Sequence, residues 1–451
     1  MINTIGRTKE RKRDLNNPVQ FPDISSGGRS SDVVVNADVW ETLYQSVQKP
    51  HLDPVMTGFN ANVDRVIRVN PALLRSFEQH EVPGFDAILP RLKQSMRYSA
   101  ADEVFISEPS VYQKLSEFFS HSGILTMGGQ AGIAAVNLKK LGIPSVTCAV
   151  PGAGLQTCSL LRDAGVVPLA FELEASTRSD VPHLIFEYSP GLVPPAEGVV
   201  LRNNRFIVSP IHDASTVIIP DASMKAFLEQ IRSCRRVFLS GYQYLLTERD
   251  FVTASSQIRL IRSVHPFMRT HVECVSNADP GVIAMMLRYI LPVTDSIGLN
   301  ERELGMFTRV VRKEDPKSPS LLPSSPSTTV RDAIALADAT GVSRVHLHTF
   351  GYYIVILKSE TAQPELSRNA LLLAAKVTAD TAGLGNQVLS REGLMAYNEI
   401  QQGFGPEETP GIFEENNRIV VFVPTYISYN VQKTTGLGDI LSSTAFVADR
   451  F

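Results

Sequence analysis

From residue 223 onward, short apolar runs of strand length alternate with amphipathic stretches of helical length. VFLSG, THVECVS and VTDSIGLN read as strands. Helices are expected over 223–235, 258–264 and 284–290, with another starting at Glu301. VHLHTFGYYIVIL, residues 345–357, reads as two strands about a glycine turn, and RIVVFVPT as a closing strand. This alternation predicts an α/β fold, a mostly parallel sheet covered by helices on both faces. The pattern starts earlier, with a helix over 37–47, a strand over 55–59, helices over 73–77 and 88–98, and a strand over 145–150. VVPLAFEL, HLIFEYSPG and NRFIVS are strand-rich and interrupt it. The chain has 451 residues, 43% of them apolar, which is enough for two compact units.

The first 35 residues read as a flexible, basic tail without the apolar segment of a secretory signal. No apolar run reaches membrane-spanning length. Lys plus Arg total 43 against 46 for Asp plus Glu, a formal charge of −3, so no basic face suggests a nucleic-acid partner. Four cysteines are too sparse for a disulfide framework and have no metal-ligand spacing. A reducing cytoplasm is the expected home. KEDPKSPSLLPSSPSTT, residues 313–329, is Pro- and Ser-rich without periodicity and reads as a surface loop.

Several short stretches could carry chemistry. TTGLGDILSSTAF, residues 434–446, places Gly436 and Gly438 ahead of a small-residue helix. It is either a tight turn capped by Asp439 or an anion cradle of converging N–H groups beside an acid. GFNANVD sets Asn60, Asn62 and Asp64 on alternate positions, one face of a strand if extended, otherwise an Asx-rich turn. MGGQAG brings Gly128, Gly129 and Gln130 to a helix start. Asp102 and Glu103 follow an expected helix end and read as surface acids, His183 as an ordinary half-buried histidine, and Arg205 as a cation able to hold a carboxylate or phosphate, unless their sheet folds over a pocket as a lid. His271 and Glu273 share a strand face; Asn300 and Glu303 form either a capping box or part of a magnesium site. His346 and His348 share a strand face, followed by Tyr352 and Tyr353.

Taken in order, GFNANVD, MGGQAG, HLIFEY, NRFI, FLSGYQ, HVE, NERE, HTFGYY and TTGLGD resemble the ADP-dependent sugar kinases of the ribokinase superfamily. The likeness runs from about residue 55 to 451. It implies a ribokinase-like large domain within residues 36–451, plus a smaller strand-rich lid formed by roughly 64–120 and 165–210. By the resemblance, Asp439 is the catalytic base, and the N–H groups at Gly436, Leu437 and Gly438 hold the transferred phosphoryl group. Asn60, Asn62, Asp64, Gly129, Gln130 and His183 contact the sugar. Glu273 and Glu303 organise Mg2+, and His348 and Tyr353 frame the adenine of ADP. ADP would give up its β-phosphate and leave as AMP.

The acceptor implied is glucose, fructose 6-phosphate or both. Glu103 matches an acidic position that contacts glucose; Arg205, with Arg202 or Arg65, would instead serve a sugar phosphate. Arg65 and Ile440 depart from the family's usual small residue and Thr. Two rival readings stand beside this one, an ATP-dependent kinase of the same superfamily and a silent sugar-binding protein. The resemblance leaves the oligomeric state open.

Overall fold

A computed structural model describes residues 31–170, 180–191, 203–210, 217–277, 279–314, 325–428 and 430–451. The chain builds two main sheets and crosses repeatedly between them. β1 (Val55–Gly58) opens the central sheet, whereas β2 (Asn62–Arg68), β3 (Asp102–Ile106) and β4 (Ile124–Gly128) belong to the second. The chain returns as β5 (Val146–Ala149) and β6 (Val167–Leu169), then leaves again as β7 (His183–Tyr188) and β8 (Asn204–Pro210). β9 (Arg236–Leu239), β10 (Arg269–Glu273), β11 (Ser296–Asn300), β12 (Arg344–His348) and β13 (Tyr352–Lys358) remain in the central sheet. β14 (Gln387–Leu389) is followed by β15 (Ile412–Glu415) and β16 (Arg418–Pro424) of the central sheet, and β17 (Tyr426–Ser428) pairs back with β14.

The ten-stranded central sheet has the order β15-β16-β13-β12-β11-β10-β9-β1-β5-β6. From β12 to β6 every pairing is parallel; β13, β16 and β15 add an antiparallel edge. This is the mostly parallel sheet expected. Its parallel strands are apolar on both faces because helices cover both, and all four residues of β9 are buried. One core fills the side under the helices Glu248–Ser263 and Pro326–Thr340. Another lies beneath Gln130–Lys140 and Leu155–Asp163. The helix Leu437–Ala448 is buried on all sides from Ile440 to Ala448, which is why its sequence is apolar and small-residued rather than amphipathic.

The five-stranded second sheet, β3-β8-β7-β2-β4, is covered by helices on one face only. Side chains alternate along a strand. Leu184, Phe186, Tyr188, Phe206 and Val208 pack beneath the helices Pro71–Gln79, Phe85–Tyr98 and Pro109–Phe118. The alternate set, His183, Ile185, Glu187, Arg205 and Ile207, therefore looks out from the other face. β-pairing aligns Asp64 with His183, Glu187 with Arg205, and Glu103 with Ile207, adding Asp64 and Glu103 to that face.

Several local expectations differ from the structure. The first helix spans Ser31–Gln45, so it takes in residues 31–35 of the expected tail; residues 1–30 lie outside the described residues. Residues 326–329 belong to the helix Pro326–Thr340, started by the Ser325 cap; 315–324 lie outside the described residues. β6 falls within 165–210 but pairs with β5 in the central sheet, and β4 lies beyond 120 in the second. Among the described residues no helix is long and apolar enough to cross a membrane.

Candidate active site

The open face of the second sheet meets the C-terminal ends of the central parallel strands across a cleft, the place where open α/β sheets take their ligands. One lobe of about 920 Å³ is lined by Asp64, Thr126, Ile133, Glu187, Lys433 and Thr435 among others. Asn62 donates through Nδ2 to Asp64 Oδ1 at 2.7 Å, so these two side chains share a face as expected. Asn60 does not join them. β2 begins at Asn62, the Asn60 carbonyl accepts from Ala131 N at 2.9 Å, and the Asn60 side chain hydrogen-bonds Tyr244. The glycine pair explains how the acid fits. A Cβ on Gly128 would collide with the Asp64 carboxylate, and one on Gly129 (φ +70°) would stand 2.7 Å from Asn62 Oδ1.

Glu103 is a strand residue in β3, not a surface acid after a helix. Ser209 donates to Glu103 Oε1 at 2.7 Å and lies 3.1 Å from His183 Nδ1, so one hydroxyl ties both side chains to the same patch. Burial raises the Glu103 carboxyl above its ordinary range, opposed by the Ser209 bond and by Arg205. Arg205 donates from Nη1 to the Thr434 carbonyl at 3.2 Å, and its guanidinium is attracted by Asp439, Glu187 and Glu103. Arg65 is elsewhere engaged, donating to the Ser122 carbonyl at 3.2 Å. Arg202 lies outside the described residues.

Asp439 sits in the first turn of Leu437–Ala448, whose N-cap is Gly436 at φ +74°. The N–H groups of Leu437, Gly438 and Asp439 start the helix and have no carbonyl a turn earlier to bond, which makes this end an anion site. Gly438 is packed close: a Cβ there would lie 3.0 Å from His348 Nε2. Burial pushes the Asp439 carboxyl up to about 7, against the pull of Arg205, Lys433 and a hydrogen bond from Gln130. Burial likewise takes Asp64 to about 7. A base that must be ionised then loses activity in acid. We expect kcat/KM to fall about tenfold per pH unit, or more steeply, below pH ~7. A profile flat from pH 5.5 to 7.5 would remove both carboxylates from the reaction.

Glu273 and Glu303 approach the same place from β10 and from the helix Glu301–Val311. Glu303 is the third residue of that helix and forms the capping box with Asn300, accepting from Asn300 N at 2.9 Å. The two roles weighed for it are compatible, because Oε2 caps the helix while Oε1 accepts from the Ser276 hydroxyl at a long 3.3 Å. Glu273 Oε2 lies 3.0 Å from His271 Nε2 and accepts from Ser442. Burial raises the Glu273 carboxyl far above its usual range, and Asp439 and Glu303 add repulsion. Burial carries Glu303 to about 7. Three carboxylates thus repel one another where a cation would relieve them. Among the described residues no three His, Cys, Asp or Glu side chains form a metal cage. The set fits a hard ion that keeps waters and takes its remaining oxygens from a phosphate, which is how Mg2+ is held.

His348 is neutral, its pKa pushed to about 4 by burial, and lies beneath the glycine turn. Tyr353 is enclosed in the main core, its hydroxyl accepting from Thr425 at 2.9 Å, and it pairs across the hairpin with His348. Glu187, noted in the sequence only as part of HLIFEYSPG, accepts from the Thr434 and Thr435 hydroxyls at 3.4 and 3.2 Å. Sequence reasoning missed Lys433, whose side chain lines the cleft near Asp439, Glu187 and Asp64. Their strand parity and their place beside TTGLGD were the available signals.

Residues 53–448 match the family described as "ADP-specific Phosphofructokinase/Glucokinase conserved region", and the chain belongs to it. An ADP-dependent glucose/glucosamine kinase of Pyrococcus furiosus is 27% identical over 91% of this chain and 98% of its own. An ADP-specific phosphofructokinase of Pyrococcus abyssi is 25% identical over 87% of this chain and 96% of its own. The solved structure of an "ADP-dependent kinase complex with fructose-6-phosphate and ADPbetaS" superposes with a TM-score of 0.73 at 23% identity, over 94% of this chain and 98% of that one. That likeness establishes the fold, a ribokinase-like α/β architecture with a second, strand-rich part.

Proposed function

We propose that this protein transfers the β-phosphoryl group of ADP to O6 of glucose and releases AMP. The observation that carries this reading is the convergence of Asp439, Arg205 and Gln130 at the helix start with the Asp64–Asn62 pair and Glu103 on the facing sheet. The acceptor end is rich in oxygen acceptors and amide donors, the groups that bind sugar hydroxyls. Glu103 favours a neutral sugar, because a carboxylate accepts a hydroxyl but repels a phosphate. Lys433 supports fructose 6-phosphate, with transfer to O1, as a second acceptor. The relatives named glucose/glucosamine kinase and phosphofructokinase span the same two choices.

In the reaction, Asp64 and Asn62 orient the acceptor so that its hydroxyl faces Asp439. The Asp439 carboxylate takes the hydroxyl proton as the oxygen bonds to the β-phosphorus. The bond to the bridging oxygen breaks, and AMP leaves with that electron pair. The helix-start N–H groups and Arg205 stabilise the phosphoryl oxygens as charge redistributes. Mg2+ carried by Glu273 and Glu303, through water, would neutralise phosphate charge. The second sheet acts as a lid whose approach excludes water and limits hydrolysis of ADP.

The test is AMP release from ADP with Mg2+, against glucose and fructose 6-phosphate in parallel, with ATP as a donor control. Sugar-dependent AMP supports the reading; turnover with ATP and none with ADP overturns it. Glu103→Gln keeps the bulk of the side chain and removes its charge. We expect its KM for glucose to rise about 10- to 100-fold, the worth of a hydrogen bond to a charged group, with kcat little changed. An unchanged KM for glucose would exclude Glu103 as a sugar contact.

A further inference from the structure

Behind Glu273 a chain of buried polar groups runs to the far end of the Leu437–Ala448 helix. Asp449, its C-cap residue, is completely buried and accepts from Arg344 Nε at 2.8 Å and from Ser367 at 2.6 Å. The Asp449 carbonyl accepts from Arg236 at 2.7 Å. Arg344, also fully buried, donates from Nη1 to Ser296 Oγ at 3.0 Å. Ser296 Oγ lies 2.8 Å from His271 Nδ1, and His271 Nε2 lies 3.0 Å from Glu273 Oε2. The imidazole is held flat between two rings, Phe238 at 5.0 Å and Phe446 at 4.9 Å.

The direction of these bonds follows from what each group is able to do. A guanidinium only donates, so Ser296 Oγ accepts from Arg344, and among the described residues His271 Nδ1 is the one acceptor within reach of its own proton. A His271 that accepts at Nδ1 carries its proton on Nε2 and donates it to Glu273. The other tautomer would aim a bare nitrogen lone pair at a carboxylate oxygen, while Ser442 Oγ, 3.2 Å from Nε2, is committed to that same oxygen. Ser442 donates to the same Oε2. Oε2 therefore carries both bonds, and Oε1 is left uncommitted among the described residues.

We propose that Arg344 and Ser296 are positioning residues for phosphoryl transfer. They fix the proton of His271 on Nε2, and so hold Glu273 by Oε2 with Oε1 turned toward the cleft. Neither touches substrate. The inference rests on the function proposed above, but its first readout needs no turnover.

The experiment uses the full chain labelled with 15N-histidine, and two-bond 1H–15N correlations that distinguish the two imidazole tautomers. The His271 signals are assigned by their loss in His271→Asn. In the wild-type protein we expect a single Nε2–H form. Ser296→Ala should give a mixture and raise the Mg2+ concentration for half-maximal activity about tenfold, the usual effect of losing a group that orients a metal-side ligand. The KM for the acceptor should stay within about twofold, since a positioning role leaves acceptor binding untouched. Ser296→Thr, which restores the hydroxyl, should return both readings toward wild type. An Nδ1–H tautomer in the wild type, or an unchanged tautomer in Ser296→Ala, overturns the proposal. A wild-type chain that shows the Nε2–H form yet gives no sugar-dependent AMP overturns the function instead.

Discussion

Asp439→Asn is expected to lower kcat about 10³-fold or more while making the protein more stable. The two effects have one origin. Burial holds the Asp439 carboxyl near 7, against 3.8 for the free group. Between those values the folded protein keeps a proton that the unfolded chain has released. Stability is thus lost as pH rises from about 4 toward 7, and the whole cost is present above that. An amide of the same shape carries no such cost. Asp439 keeps partial exposure to the cleft, which screens its charge and limits the gain to about 1–2 kcal/mol. Thermal unfolding from pH 4 to 8 should show no gain at the acid end and the largest gain at the alkaline end. Turnover within tenfold of wild type would remove Asp439 as the base. A lower Tm at pH 8 would mean that its charge is compensated in the folded state.

Gly298→Ala should damage both the fold and the reaction. A Cβ at that position would run into Glu273 Oε2 and would lie 2.6 Å from Ser442 Oγ and 2.8 Å from His271 Nε2. None of the three side chains has room to retreat, since each is 3% exposed or less. Overpacking of this kind costs about 1–3 kcal/mol, and displacing Glu273 should cut kcat about 100-fold or more. Gly341→Ala is the matched control. Gly341 has φ +72° and open space where the Cβ would go. It should lose about 1 kcal/mol to backbone strain and keep full turnover. Equal kinetics for the two variants would show that the crowding at Gly298 has no bearing on the reaction.

The central sheet was readable because its parallel strands are covered on both faces, so each appears as a short unbroken apolar run. VFL in β9 and IGL in β11 are such runs. The pairing of His271 with Glu273 was readable from strand parity, and the Asn300–Glu303 box from helix-cap chemistry. Glu103 was harder. β3 is a short edge strand without clear alternation, and its acid acquires a role only when β8 places Ser209 and Arg205 beside it. Asn60 followed the period of β2 in the sequence, yet its carbonyl is drawn into the turn ahead of Gln130–Lys140. Ser442 and Gly298 carried no local signal at all. Their importance arises from contacts across 169 residues in one case, and from an absent side chain in the other.

The one-sided covering of the second sheet also separates what can change from what cannot. Leu184, Phe186, Phe206 and Val208 are fully buried among helices, and truncating any of them opens a cavity. Ile207 on β8 and Phe105 on β3 stand beside Glu103 on the face without helices, and neither is fully buried. A lineage, or a combinatorial library, that varies only these outward positions explores new acceptors over an undisturbed foundation. Substitutions spread evenly along the strands would spend half their number on unfolded protein.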